Sequence, residues 1–326
     1  MDYKKLELST QILIKEALNR GIKVDVLDWD DNFIRLSNGE KTEYVKQATK
    51  TSVDTYIAPL IMENKEVTKI ILKEHGMRVP EGFTVRTVEE GLKIADSFKG
   101  KSIVIKPKST NFGKGVQILA KNATEKEYRF SLEYAFGYDS SVLIEEFISG
   151  NEYRFLVIGD EVVGILHRVP ANVTGDGIQS ISELVVEKNK DPLRGKGYVT
   201  PLEKINLGVT EKEYLSQQGK NIDYIPANGE TVYLRENSNI STGGDSLDFT
   251  DEIREEYKTI AVKAAKSVGA KICGADIIIK DITAAPDISN YGIIELNFNP
   301  AIHIHDYPYK GVNRKVEDKI LSLLGF

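Results

Sequence analysis

The sequence VIKPKSTNFGKGV, from Val104 to Val116, predicts a strand, a loop and a second strand. An apolar strand carrying Lys106 runs into a loop with Gly113 and Gly115, and a second strand begins directly afterwards. Glycines let backbone N–H groups approach a phosphate closely, and a lysine on a strand adds a fixed positive charge. No GKS or GKT opens a helix here, so the loop is not a Walker A motif. Alone, such a loop is more typical of a tight β-turn than of a phosphate site.

A second signal lies near the end of the chain, in two predicted strands over residues 275–280 and 292–297. Asp276 lies on the first strand. Glu295 and Asn297 lie two positions apart on the second, which puts them on one face. Carboxylates and carboxamides are hard oxygen ligands that suit Mg²⁺ bridging nucleotide phosphates. The alternative is a solvated edge strand, but the apolar neighbours predict a buried strand, where carboxylates need compensation.

A third signal is LIEEFISGNEYR, from Leu143 to Arg154. A short strand ends in polar residues, turns at Gly150, and presents Glu152 and Arg154 on one face of the next strand. By itself this pattern is typical of a simple turn with a surface ion pair.

Taken together, the three stretches resemble the ATP-grasp carboxylate–amine ligases. The resemblance is closest to the glutathione synthetase module of bifunctional glutamate–cysteine ligase/glutathione synthetases. It rests on matching stretches spread over most of the chain: ELSTQILIKEAL, YVKQATKTSVDTYI, MENKEVTKIIL, VIKPKSTNFGKGV, RVPANVTGDGIQSI, NSNISTGGDSLDFTDEI and IIELNFNPAIHIHDYP. Cyanophycin synthetases share RVPA, GDG and STGG and are the nearest rival. The glutamate–cysteine ligase half that precedes this module in the family is absent from the sequence, which leaves the acyl substrate open.

The resemblance implies an α/β fold built from α+β lobes. We expect a short N-terminal lobe over residues 1–62 and an ATP-grasp small lobe with a Gly-rich lid loop over 63–148. A large lobe with the metal and substrate site would follow over 149–326.

The resemblance also implies that nine residues contact ATP: Lys65, Lys106, Ser109, Gly113, Gly115, Glu145, Glu146, Phe147 and Glu152. The two lysines would hold the α and β phosphates, and the loop 109–115 would cover the nucleotide. Glu145 would accept from the adenine amino group, the two residues after it would supply hinge backbone contacts, and Glu152 would bind the ribose hydroxyls.

A second implied set handles metal and substrates. Asp276, Glu295 and Asn297 match the family's ligands for two Mg²⁺ ions, with Mn²⁺ as an alternative. The residues that sit where the family binds substrate and the developing acyl phosphate are Asn239, Ser241, Thr242, Gly243 and Gly244. Arg168 and Arg235 are candidates for stabilising negative charge there, and with Asn239 they form the predicted catalytic set.

The implied reaction converts ATP and a carboxylate to ADP and an acyl phosphate, which an amine attacks to form an amide. The favoured substrates are γ-glutamylcysteine and glycine, giving glutathione. The alternatives are a cyanophycin-synthetase-like amino-acid or peptide ligase and a non-catalytic ATP-binding module. A Rossmann-type dehydrogenase is disfavoured, because the chain after Val26 continues DWDD from Asp28 without G-x-G-x-x-G.

The composition limits which classes of partner and which cellular location we expect. The 326 residues are 41% hydrophobic and 28% charged with a net charge of −6, which argues against a nucleic-acid binder. Cys273 is the single cysteine, so no intramolecular disulfide is expected. The apolar runs are too short to span a membrane and the N-terminus lacks a signal-peptide core, so we expect a cytoplasmic protein. Family resemblance makes a homodimer plausible, and a glutamate–cysteine ligase would supply the acyl peptide.

Local patterns predict several elements. Asn38-Gly39 predicts a type I′ hairpin turn, and apolar spacing predicts one helix from Met62 to a stop at Gly76. Thr250 is predicted to cap the long helix that follows it. His303 and His305 alternate on a strand-like segment, and without a third ligand they favour a structural role over a metal site. Cys273 is expected to be a small buried side chain.

Overall fold

The largest sheet of the computed structural model, which describes residues 2–110 and 115–326, has five antiparallel strands. In spatial order they are β14 (Asp245–Asp248), β9 (Glu161–Val169), β8 (Asn151–Ile158), β15 (Ile272–Ile279) and β16 (Tyr291–Asn297). Strand β15 is buried at nearly every position. Both faces of β15 are covered by the rest of the protein, which explains its continuous apolar sequence. Polar and apolar residues alternate along a strand only where one face of the strand meets water.

A second, four-stranded antiparallel sheet carries the glycine-rich stretch. Its spatial order is β4 (Gly82–Val85), β7 (Val142–Glu146), β5 (Ile103–Pro107) and β6 (Gln117–Leu119). Helices α4 (Val88–Lys93) and α5 (Glu125–Phe136) pack on it around Ile105, Leu132 and Ile144, which are fully buried. Helix α4 ends at Lys93, and a 3₁₀ turn covers Ala95–Phe98.

The N-terminal segment forms helix α1 (Leu8–Asn19) and a three-stranded sheet of β1 (Lys23–Asp28), β2 (Phe33–Ser37) and β3 (Thr42–Lys46). The predicted hairpin is present, but its turn spans residues 38–41 rather than a two-residue type I′ loop. The Asn38 carboxamide explains the longer turn, since its Oδ1 accepts from Lys41 N at 2.9 Å. The core of this segment continues into the last helix, α10 (Val316–Leu323), and into the five-stranded sheet at Leu156.

The helix predicted from Met62 stops at Gly76 as expected, where φ is +72°, but its predicted start is wrong because two helices meet near Met62. Helix α2 (Ile57–Glu63) ends at Asn64, and α3 (Lys65–Glu74) begins directly after it. The Asn64 side chain caps the new helix by accepting from Val67 N at 3.3 Å. Both helices pack with α8 (Glu255–Ser267) on one face of the five-stranded sheet, where Leu72 and Tyr257 are buried.

The segment between β9 and β14 forms a small unit with a core of its own, here called the insert (residues 171–235). Its elements are β10 (Asn172–Thr174), α6 (Ile181–Lys188), β11 (Arg194–Gly195), β12 (Leu202–Glu203), α7 (Val209–Gln217) and β13 (Thr231–Tyr233). Strands β10 and β13 pair antiparallel, and β11 and β12 pair parallel. The insert core includes Val173, Ile181, Leu215 and Val232.

Two further local predictions are wrong. Thr250 does not cap a helix, since α8 begins at Glu255; its hydroxyl instead accepts from Ile165 N at 2.8 Å and donates to Asp248 Oδ1 at 2.6 Å. The strand-like segment with two histidines forms the short helix α9 (His303–Asp306). Within residues 2–110 and 115–326, no helix is long and apolar enough to cross a membrane.

Candidate active site

One carboxylate on the four-stranded sheet binds two lysines. Glu145 on β7 lies opposite Val104 of β5, so Lys106 is its diagonal neighbour on the same face. Lys106 Nζ lies 2.8 Å from Glu145 Oε2, and Lys69 Nζ of α3 contacts Oε1. Glu145 is only 3% exposed. The two signals read separately from the sequence, at Lys106 and at Glu145, therefore belong to one site.

Charge keeps Glu145 ionised. Burial alone would raise the pKa of Glu145, but the positive charges of Lys106 and Lys69 hold that pKa at about 2. Burial and the nearby charge of Lys106 lower the pKa of Lys69 to about 8. Lys69 is not among the predicted site residues, although it follows Lys65 by four positions, a spacing that puts both side chains on one helix face.

The predicted adenine hinge follows β7. Glu146 Oε1 accepts from Glu81 N at 2.9 Å and pairs with Arg78 Nη2 at 2.5 Å. The backbone N–H of Glu146 donates to Glu81 O at 2.9 Å, and that of Phe147 donates to Ser102 O at 2.8 Å. Both hinge N–H groups are thus used within the protein, and the predicted contacts of these residues with adenine stay a prediction.

A second buried carboxylate lies on the five-stranded sheet. Asp276 on β15 lies between Arg154 on β8 and Glu295 on β16, its partners in the strand register. Arg154 Nη2 lies 2.7 Å from Asp276 Oδ2, and Arg168 Nη2 lies 3.1 Å from the same oxygen. Burial would raise the pKa of Asp276, but the two arginine charges lower it. The carboxylate is therefore ionised while it is 3% exposed.

The three predicted metal ligands lie together on neighbouring strands. Glu295 is the register partner of Asp276, and Asn297 Nδ2 lies 3.3 Å from Asp276 Oδ2. Lys65 Nζ lies 4.0 Å from Glu295 Oε2. In the part of the chain that the structure describes, no three His, Cys, Asp or Glu side chains could hold a metal alone. Two carboxylates and a carboxamide fit an ion such as Mg²⁺, which takes one or two carboxylates and completes its shell with phosphates and water.

The two candidate arginines differ in their surroundings. Arg168 on β9 contacts Glu152 Oε1 as well as Asp276, so it bridges the predicted ribose and metal residues. Glu152 Oε2 also accepts from Ser238 Oγ at 2.9 Å. Arg235 instead pairs through Nε with Glu211 of α7 in the insert. For Arg154 the sequence pattern indicated only a surface ion pair with Glu152. Its contact with Asp276 depends on the pairing of β8 with β15.

The predicted substrate loop, residues 239–244, is a tight turn. Asn239 O accepts from Thr242 N at 3.1 Å and from Gly244 N at 3.2 Å, and residues Ile240–Thr242 form a 3₁₀ turn. Gly243 has a φ of +94°, which side-chain-bearing residues rarely adopt. A Cβ on Gly244 would lie 2.8 Å from Val169 O. Ser241 belongs to the same turn, so the structure brings all five predicted substrate residues together.

The glycine-rich loop starts beside a cleft of about 460 Å³ that Lys65, Lys108 and Ser109 help to line. Ser109 N donates to Asp139 Oδ2 at 2.7 Å, which ties the start of the loop to the end of α5. At its other end a Cβ on Gly115 would lie 2.5 Å from Pro107 Cγ, so that position requires glycine. The predicted residue Gly113 lies outside the described residues.

The two histidines of α9 and the single cysteine lie in the protein interior. His303 Nδ1 lies 2.8 Å from Ser9 Oγ, and burial lowers the pKa of His303 to about 4. Burial likewise lowers the pKa of His305 to about 3 and raises that of Cys273 to about 12. All three are buried, as expected for Cys273, and are uncharged at neutral pH.

Family models match this arrangement. Residues 4–57 match the ATP-grasp-like domain, and residues 63–169 match the phosphoribosylglycinamide synthetase ATP-grasp (A) domain. These matches show ATP-grasp domains, and the chain has the ATP-grasp fold.

Individual relatives are similar to nearly the whole length of this chain. The chain is 61% identical over 322 residues to the glutathione biosynthesis bifunctional protein GshAB of Clostridium perfringens, covering 99% of this chain and 41% of that protein. The same protein of Listeria innocua is 54% identical over 319 residues, covering 98% and 41%. A crystal structure of a bifunctional glutathione synthetase from Pasteurella multocida aligns with a TM-score of 0.79 and 45% identity, over 99% of this chain and 44% of that one. The chain thus spans about two fifths of the length of these relatives.

Proposed function

We propose that this chain is an ATP-dependent carboxylate–amine ligase that makes glutathione from γ-glutamylcysteine and glycine. ATP and the cysteinyl carboxylate would give ADP and an acyl phosphate. The glycine amine would then attack the acyl carbon, release phosphate and lose its proton as the amide forms. No enzyme nucleophile is needed, because the chemistry requires positioning and charge stabilisation.

The main support for the proposal comes from two lysines of α3, which contact carboxylates on different sheets. Lys69 reaches Glu145 on the four-stranded sheet, and Lys65 reaches Glu295 on the five-stranded sheet. One helix therefore connects the predicted nucleotide residues to the predicted metal residues. A bound nucleotide could extend its phosphates from Lys106 towards Asp276. Its α and β phosphates would then lie near the lysines and its γ-phosphate near the metal ligands, as transfer of the γ-phosphoryl group requires.

The residues of the chain have distinct parts in this proposal. Lys65 and Lys106 would neutralise the α and β phosphates, and Glu145 would orient the adenine. Asp276, Glu295 and Asn297 would hold Mg²⁺ or Mn²⁺, which when bound supplies Lewis-acid charge to the transferring phosphoryl group. The contact of Arg168 with Asp276 supports a role for its guanidinium in stabilising negative charge on the acyl phosphate.

Support for the substrates comes from the relatives. Glutathione biosynthesis proteins of five genera are 46 to 61% identical to nearly the whole chain. We propose that Asn239 and the turn 241–244 bind the acyl substrate, and that a glutamate–cysteine ligase supplies it. A homodimer and the division into lobes at residues 62 and 148 are parts of the same proposal.

A substrate screen that measures ADP release tests this proposal. Purified protein with ATP and Mg²⁺ should release ADP only when γ-glutamylcysteine and glycine are both present, and mass spectrometry should detect glutathione. The matched arms contain an acidic peptide with arginine or with aspartate, the substrates of a cyanophycin-synthetase-like ligase. Turnover only in those arms would refute the glutathione proposal and retain the ligase. No turnover in any arm, with ATP bound, would support a non-catalytic ATP-binding module.

A further inference from the structure

A buried network lies directly behind the substrate turn. Asp245, the first residue of β14, follows Gly244 and is 4% exposed. Its carboxylate accepts from Lys188 Nζ at 2.7 Å and from Asn172 Nδ2 at 3.0 Å, and it pairs with Arg194 Nη2. All three donors belong to the insert, so Asp245 joins the insert to the five-stranded sheet.

Arg194 reaches the turn itself. Its side chain is completely buried, and Nη1 donates to Gly243 O at 3.0 Å and to Glu203 O at 2.9 Å. One planar guanidinium thus holds a backbone carbonyl of the turn and the carboxylate that follows it. The Tyr309 ring covers the network, with its centroid 5.6 Å from Arg194 Cζ and 5.5 Å from Lys188 Nζ.

The turn also rests directly on the insert backbone. A Cβ on Gly243 would lie 2.8 Å from Ile205 Cα, so the two backbones are in close contact. Ile205 is fixed in turn by Asn189 at the end of α6, whose side chain bonds Ile205 N and Ile205 O, both at 2.8 Å. The insert therefore forms a rigid support beneath the turn, and Arg194 connects the two through hydrogen bonds.

We propose that Arg194 is a positioning residue for binding of the acyl substrate, which it promotes by holding the turn 241–244 in its binding geometry. The proposal rests on the proposed function, in which this turn contacts the acyl substrate. Lysine cannot replace arginine here, because an ammonium is a point charge that cannot span a carbonyl and a carboxylate with fixed geometry. Arg194 itself would not touch the substrate, since its side chain is buried.

The test compares Arg194→Lys with Arg314→Lys. Arg314 also pairs with a carboxylate of β14, that of Asp248 at the far end from the turn, although its side chain is 17% exposed and it pairs with the exposed Asp251 as well. Arg194→Lys should raise the KM for γ-glutamylcysteine about tenfold and leave the KM for ATP nearly unchanged, as expected for loss of a charge-assisted contact. Arg314→Lys should lower the melting temperature without changing either KM. Equal effects of the two variants on the KM for γ-glutamylcysteine would overturn the proposal.

Hydrogen exchange provides a readout that needs no substrate. Backbone amides of residues 239–245 should exchange about tenfold faster in Arg194→Lys than in the wild type, while those of β15 stay protected. Unchanged exchange in the turn would overturn the positioning role even if glutathione is made. Faster exchange in a protein that does not turn over γ-glutamylcysteine would refute the proposed function alone. If Arg194→Lys fails to fold, Lys188→Met, which removes the other cation from Asp245, should shift exchange in the same direction.

Discussion

Lys65 and Lys69 lie one helical turn apart on α3 and contact carboxylates of two different sheets. Lys65 Nζ is 4.0 Å from Glu295 Oε2, whereas Lys69 Nζ contacts Glu145 Oε1. The break at Asn64 produces this arrangement, because it starts a new helix at Lys65. A continuous helix from α2 would present these lysines at different angles. The helix junction is therefore part of the candidate site.

Replacement of Lys69 should destabilise the fold. Lys69→Met leaves the buried Glu145 with one cation instead of two, and we expect a loss of about 1–3 kcal/mol in the free energy of unfolding. The control is Lys73→Met, one turn further along α3, whose pair with Glu81 is largely exposed. That change should cost less than about 1 kcal/mol. Urea denaturation of both variants measures the difference; equal losses would mean that Lys69 does not stabilise Glu145.

Replacement of Lys106 should weaken ATP binding. Lys106→Ala removes a charge-assisted contact worth about 1.5–3 kcal/mol, so the Kd for ATP should rise about tenfold or more. Lys101→Ala changes an exposed lysine two residues before β5 and should leave the Kd unaltered. Isothermal titration calorimetry measures both. Unchanged affinity in Lys106→Ala would indicate that the loop after β5 is only a turn.

Replacement of Glu295 tests the metal site. Glu295→Gln keeps size and hydrogen bonding but removes the anion, so kcat and kcat/KM should fall together by about 100-fold or more. ATP binding should be largely retained through the lysines. Extra Mg²⁺ should restore activity only in part, because a neutral amide is the weaker ligand. Glu255→Gln, at an exposed site on α8, serves as the control. A higher melting temperature with normal turnover would instead mark Glu295 as a strained structural carboxylate.

The start of α10 predicts a pH dependence of stability. Asp306 is 2% exposed, and its Oδ1 accepts from Val316 N at 3.0 Å. Burial and a hydrogen bond with Glu317 raise the pKa of Asp306 to about 8 from the ordinary 3.8. Between these values the folded protein holds a proton that the unfolded chain releases, so stability should decrease as the pH rises from 3.8 to about 8.

Asp306→Asn should remove this dependence. The variant keeps the hydrogen bond to Val316 N but cannot ionise, so its melting temperature should exceed that of the wild type by several degrees near pH 8 and by less near pH 5. Glu317→Gln should flatten the profile in the same way, because it relieves repulsion within the pair. Parallel pH profiles for the wild type and Asp306→Asn would contradict this assignment.

Local periodicity predicted some of the candidate site. Strand alternation was enough to put Glu295 and Asn297 on one face. The prediction that their strand is buried rather than an edge strand is only partly right. Strand β16 lies at the edge of the five-stranded sheet and the Glu295 side chain is 35% exposed, although Ile293 and Leu296 are buried. The register pairing of Asp276 with Glu295 follows once the two strands are adjacent. These features depend on residues close in the chain, where side-chain direction is set by the strand itself.

Contacts between distant segments were not predictable. Arg194 and Gly243 are 49 residues apart, and their hydrogen bond exists only because the insert folds back beneath the turn. The contact of Arg154 with Asp276 likewise depends on which strands are neighbours in the sheet. Asn64 could have been read as a helix cap, but the apolar residues on both sides favoured one continuous helix. Tertiary packing decided the two arginine contacts, whereas the break at Asn64 is a local helix cap.

Transfer of oxygen from the substrate carboxylate to phosphate shows whether the carboxylate is activated as an acyl phosphate. γ-Glutamylcysteine labelled with ¹⁸O in its cysteinyl carboxylate is incubated with the protein, ATP, Mg²⁺ and glycine, and the released phosphate is analysed by mass spectrometry. The attacking carboxylate oxygen bonds to the γ-phosphorus and leaves with it when the amine displaces phosphate. The released phosphate should carry one ¹⁸O atom for each glutathione formed. Unlabelled phosphate accompanying glutathione would contradict it.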